Sequence, residues 1–234
     1  MMLWLVRAVG AAALLVLVVA LYMGFGPPHF RRAGPGERGE FPGGFRGPVL
    51  AMEFVRNGEE VEKIVGPPGD PDRATLRRKT MIDLFWIACY SLLFVLTAVL
   101  LGTQQFPFSN YLACVAAVCA LSAGGFDVAE NRGMLHALQL TREEATVEVL
   151  RGIREAALLK WALSFVAMGL LAPTFFGRDW GVSLVGYCFA AAAAVGFVGL
   201  WHYPTIELSV FPLLLGLILL AAQALARPGA FLPR

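Results

Sequence analysis

The chain has 234 residues, of which 58% are hydrophobic and only 15% charged, and its net charge is +2. Soluble domains carry about 25% charged residues, so an apolar excess gathered into long runs reads as membrane-spanning. So small a net charge, with no basic stripe interleaved with aromatics, gives no reason to expect nucleic acid as a partner.

Leu3 to Phe25 is apolar for one bilayer thickness, with Arg7 as its single charge. A cleaved signal peptide has a shorter apolar core, about 7–15 residues, and ends in small residues. Here Leu21-Tyr22-Met23 follow Ala20. Residues 1–25 are therefore expected to be a retained N-terminal transmembrane helix. Residues 26–70 follow as a Gly-, Pro- and Arg-rich linker. Its part from Gly26 to Pro48 cannot bury enough apolar area to offset its ordering entropy, so it is expected to be flexible and solvated. Arg31, Arg32, Arg38 and Arg46 are placed to touch anionic headgroups.

Met52 to Val65 is a small element that includes a short amphipathic helix over 57–65. Asn57 is its N-cap, Glu59 and Glu60 fill its first turn, and Gly66 stops it before Pro67-Pro68. Val61, Ile64 and Val65 form its apolar side, onto which Phe54 and Val55 can fold.

Asp70-Pro71 starts the next helix. It crosses Arg73, Arg77, Arg78 and Lys79, enters lipid at Met81 and ends near Gly102, with Asp83 one turn inside the apolar run. A short uncharged turn, Thr103 to Ser109, includes Gln105 and Phe106. The third span runs from about Asn110 to Asn131. Its end carries Asp127, Glu130 and Asn131 on one face, because residues three and four apart stack along a helix.

Gly133 to Leu140 reads as a connector. Thr141 and Glu144 fit a capping box for the fourth span, which pairs Glu148 with Arg151 and Arg151 with Glu155 before turning apolar. Lys160 sits at that border, and the helix ends near Phe176. Val182 to Trp201 is the fifth span. Its Gly186, Ala190 and Ala194 form a small-residue ridge that would let another helix, in this chain or an oligomeric partner, approach closely. After His202-Tyr203-Pro204, Ile206 to Ala226 is the sixth span, with Glu207 at its start and Pro212 inside it.

The fold class is thus all-α: a polytopic transmembrane helix bundle of about six spans, five of them in residues 71–226. Lys and Arg crowd the side that holds loops 26–79 and 132–155, which the positive-inside rule makes cytoplasmic; Arg7, Arg178, Arg227 and Arg234 lie on the other. Asp83, Asp127, Glu130, Asn131, Lys160, His202 and Glu207 all fall at span ends on the crowded side. They form a candidate ligand-binding set, with His136 and His202 as possible members of the same group. A structural reading also fits, in which paired charges only fix helix register.

The pattern Phe126-Asp127-Val128-Ala129-Glu130-Asn131, together with Asp83 entering the aromatic-rich stretch Leu76 to Tyr90, resembles certain uncharacterised bacterial multi-pass inner-membrane proteins. The resemblance implies an inner-membrane helical bundle and supplies no activity.

No Ser/His/Asp triad, HExxH, P-loop or haem motif is present. Cys89, Cys114, Cys119 and Cys188 lie inside apolar runs without CxxC spacing, so no metal site is expected. The residues leave catalysis and cofactor unknown. They point to an integral membrane protein, embedded in a lipid bilayer, that binds or transports a small polar or lipid-like ligand. The alternatives are a membrane-embedded enzyme with Asp127 or Glu130 as acid or base, and an accessory subunit of a membrane complex.

Overall fold

The computed structural model describes residues 2–32, 34–36, 39–104 and 107–231. Arg38, Gln105, Phe106 and Arg234, which enter the sequence argument, lie outside the described residues. The fold is all-α, with eight α-helices and no strand among the described residues. These are α1 Met2–Phe25, α2 Pro48–Glu53, α3 Gly58–Val65, α4 Pro71–Gly102, α5 Ser109–Ala137, α6 Val147–Leu171, α7 Trp180–Gly199 and α8 Thr205–Ala226. All but α2 and α3 are long and apolar enough to cross a membrane. Their outward faces agree: Leu208, Phe211, Leu215 and Ile218 of α8 are all exposed, an apolar stripe that suits lipid and not water. The chain is a multi-pass integral membrane protein.

The chain divides into two compact units. One comprises Met1–Ala20, Ala88–Gly124 and Trp161–Arg234. In it α7 and α8 pack closely where side chains are small. A Cβ on Gly216 would stand 3.0 Å from that of Cys188, and one on Gly199 would stand 2.7 Å from Cγ1 of Ile206. The Gly186/Ala190/Ala194 ridge is not one open face. A side chain at Gly186 would meet the Phe176 ring at 2.6 Å and the Ala172 carbonyl at 2.9 Å, while Ala194 is exposed. Arg178 ties this unit's turns together, donating to the carbonyls of Thr174 and Phe231 and to Oε1 of Gln104.

The second unit comprises Leu21–Ile87 and Gly125–Lys160. Here α5 continues to Ala137, so the connector expected at Gly133 begins five residues later, at Leu138. Within it Gly133 lets α6 approach closely: a Cβ there would stand 2.7 Å from Cγ1 of Ile153. The Thr141/Glu144 pair closes as expected, with the Thr141 N–H donating to Glu144 at 2.8 Å and its hydroxyl at 3.0 Å. Those bonds hold the Glu144 carboxyl below its ordinary range. They close a turn, however, and do not start the helix. α6 begins at Val147, where the Thr146 hydroxyl accepts from the Val149 N–H at 3.5 Å.

α3 forms as expected. Asn57 accepts from the Glu60 N–H at 3.0 Å, and Glu60 accepts in turn from the Arg56 N–H at 2.8 Å. Gly66 ends it at φ 78°, where a Cβ would lie 2.4 Å from Oδ2 of Asp70. α2 is an addition that the sequence pattern did not separate from the residues after it.

The stretch from Gly26 to Pro48 departs from the solvated linker that its composition suggests. Asp72 is fully buried and accepts from the backbone N–H groups of Arg31 at 2.8 Å and Arg32 at 3.0 Å. Phe41 and Phe45 are buried, and the Phe45 ring stacks on Phe54 at 5.3 Å. Composition counts few apolar residues here, but two phenylalanines and one carboxylate anchor both ends of the stretch.

Amide exchange tests this anchoring. The Arg31 and Arg32 amides are expected to be protected from exchange by their bonds to Asp72. Asp72→Ala should remove their protection and cost on the order of 1 kcal/mol for each bond lost.

Candidate functional site

Three membrane helices and one short helix deliver polar side chains to a single place in the second unit. On α5 the spacing of Asp127, Glu130 and Asn131 puts all three on one face, and all three are buried. α6 brings Lys160, whose Nζ lies 2.7 Å from Oε2 of Glu130 and 3.4 Å from Oδ1 of Asp127. α4 brings Asp83, which accepts from Nδ2 of Asn131 at 2.6 Å and is only part-buried. The fourth contributor is Glu53, the last residue of α2, whose Oε1 is 3.1 Å from the same Nζ.

Glu53 is the member that sequence reasoning missed. It stands alone among the apolar residues Val49 to Val55, and an isolated acid in an apolar run is a signal that asks for a buried partner. Its position is locally unfavourable. A carboxylate in the last turn of a helix opposes the helix dipole by about 0.3–1 kcal/mol. Lys160 compensates it, since an ammonium has three donors and three carboxylates lie within ion-pair distance of this one.

The burial makes this arrangement consequential. Lys160 is the most exposed of the five buried members at 7%, and Asn131 is at 0%. Removing an ammonium and its partners from water carries several kcal/mol per ion, which only close geometry and further hydrogen bonds return. The geometry is close, but the hydrogen bonding is incomplete: Oε1 of Glu130 and Oδ1 of Asn131 are buried with no hydrogen-bond partner.

The structure therefore brings together Asp83, Asp127, Glu130, Asn131 and Lys160 of the sequence-derived set. His202 and Glu207 belong to the other unit. There His202 is exposed and its Nδ1 pairs with the Thr205 hydroxyl at 2.8 Å, beside the first turn of α8. Arg132 and His136 are exposed. Among the described residues, no group of three or more His, Cys, Asp or Glu side chains is arranged to hold a metal ion.

No family model, no curated protein and no solved structure matches this chain. The case for a function rests on the cluster itself.

Lys160→Met is expected to destabilise the purified protein by about 3–5 kcal/mol, because it leaves buried carboxylates without their cation. Unfolding in detergent measures this. Adding Glu130→Gln to Lys160→Met should recover part of the loss, since it removes the carboxylate nearest the vacated position.

Proposed function

We propose that this membrane protein binds or moves a small, cationic, hydrogen-bond-donating ligand at the Glu53/Asp83/Asp127/Glu130/Asn131/Lys160 cluster. The observation that carries the reading is the imbalance of the site: three carboxylates lie within ion-pair distance of one ammonium, and a fourth, Asp83, is bonded to Asn131 beside them. Ionisable groups inside membrane helices are costly, and a surplus of one sign is costlier than a pair. A fully matched tie between helices would need one carboxylate for Lys160, not three. An anionic ligand, such as a phosphate headgroup, would add to the surplus.

The lipid-like ligand and the acid–base enzyme have less support. Asp127 and Glu130 are ion-paired with Lys160. The accessory-subunit reading draws on the ion pairs, which also fix helix register. Association with a partner helix through Gly186, Ala190 and Ala194 is weakened by the ring that already fills the space at Gly186.

In the proposed orientation, in a bacterial inner membrane, the charge-rich loops face the cytoplasm. A variant without the four native cysteines and carrying Glu143→Cys in the exposed turn before α6 checks this. A membrane-impermeant thiol reagent should label it in inverted vesicles and not in intact cells; the reverse pattern would invert the assignment.

Ligand binding is tested by following the thermal midpoint of the protein in detergent. Titrants are ammonium, methylammonium, sodium and protons, with choline holding ionic strength constant. At least one titrant should shift the midpoint in the wild type and lose most of that effect in Glu130→Gln. Equal responses in both proteins would leave the structural reading in its place.

A further inference from the structure

Two observations narrow the ligand, resting on the cation reading just given. The first concerns hydrogen bonding. Oε1 of Glu130 and Oδ1 of Asn131 are buried without a partner, and their residues are 1% and 0% exposed. Both atoms are acceptors, so what the site lacks is a donor. The Asn131 amide gives one of its two N–H groups to Asp83.

The second concerns charge and space. If every carboxyl were ionised, Glu53, Asp83, Asp127 and Glu130 would outweigh Lys160 by three negative charges. Among the described residues, the charged groups that face the cluster are Glu53 from α2, Asp83 from α4, Asp127 and Glu130 from α5, and Lys160 from α6. Arg132, the neighbouring base in the chain, is exposed and gives the interior no compensation. A second ammonium placed here would meet Lys160 as a like charge. A proton meets the same need without displacing any packed side chain. It converts a carboxylate oxygen from an acceptor into a donor and removes one negative charge.

We propose that the ligand of this site is the proton, held on the carboxyl groups of Glu53, Asp83, Asp127 and Glu130 and exchanged with the surroundings through Asp83. Asp83 is the cluster's part-exposed member and is hydrogen-bonded to Asn131, the residue after Glu130. In the step itself a proton leaves hydronium or water and bonds to a carboxylate oxygen; no other bond forms or breaks. The same exchange in reverse returns it. Two carboxyls sharing a site and a proton is an established consequence of crowding like charges. Here the crowd lies among membrane helices, where a group that takes up and gives back a proton can move charge between a buried site and the surface.

Infrared spectroscopy of the full chain in detergent reads the proton directly. The C=O stretch of a protonated carboxylic acid lies apart from the carboxylate bands and shifts in deuterium oxide. The wild type is expected to show such a band near neutral pH, and the band should shrink as pH is raised while the protein stays folded. It should weaken in at least one folded variant among Glu53→Gln, Asp83→Asn, Asp127→Asn and Glu130→Gln. Glu53→Gln keeps the test available if the span variants do not fold, because α2 lies outside the six spans; its band should change in size as the charges it faces are altered.

An absent band, a band indifferent to pH, or one equal in every folded variant would overturn the proton. Stabilisation by ammonium or sodium without an acid band would overturn it while keeping the cation reading. An acid band that titrates, with no response to any other cation, would keep the proton and exclude the larger ligands.

Discussion

The second unit depends on one buried ammonium. Lys160 is a long, flexible side chain whose ordering costs entropy and whose burial strips a strongly hydrated charge. Such a residue is retained inside a protein only where the groups around it answer both costs. Three carboxylates do so here, from α5 on one side and from the end of α2 on the other. The consequence reaches beyond the site. α2 is six residues long, too short to be stable by itself, and its last residue is seated by this ammonium. Met52 and Phe54, which flank Glu53, are buried, so the ion pair and the apolar packing fix the same short helix.

Two buried bases of this unit work differently: they finish helix ends. Lys79 donates to the carbonyls of Met23 and Gly26, at the close of α1, where the helix has no basic residue of its own in the last turn. Arg73 donates to the carbonyls of Gly66, Leu138 and Leu140, the first at the end of α3 and the others just past α5. Helix C-termini leave four carbonyls without partners, and in lipid or at its border water is not always there to take them. Both residues were counted as cationic markers of one membrane side. Their burial shows that the count mixes two causes, since a base that caps a neighbour's carbonyls is placed by hydrogen bonding as much as by membrane sidedness.

Most of the architecture was legible because its causes are local or periodic. Apolar length gave the six spans; Asn57 and Gly66 gave both ends of α3; the spacing of Asp127, Glu130 and Asn131 gave one polar face. What was not legible has long-range causes. α5 runs past its expected end, and the glycine that suggested a stop, Gly133, is instead where Ile153 of α6 packs against bare backbone. The capping box at Thr141 closes a turn without starting a helix, which local pattern cannot distinguish. The stretch after α1 looked unstructured because its anchor, Asp72, lies about forty residues on and acts through backbone groups that every sequence has. Glu53 was overlooked for a related reason: alternation of span direction ranks residues by depth only when they lie on spans, and Glu53 does not.

Local and global demands conflict at this one place, and the direction of the conflict is informative. Glu53 opposes the dipole of its own helix; Asp127 and Glu130 put two carboxylates on one face, three residues apart; and two buried acceptors go without donors. A tie meant only to hold helices together gains little from such choices, because one carboxylate already balances the charge of one ammonium and apolar residues of similar volume are often as stabilising. Sequences are otherwise consistent across levels, and departures from that consistency gather at functional positions. The surplus acids sit where added positive charge or a donor would relieve every conflict at once. In a membrane protein, where an uncompensated charge is costly, the proposed binding would make such a cluster stable in one occupancy and poised for change in the other.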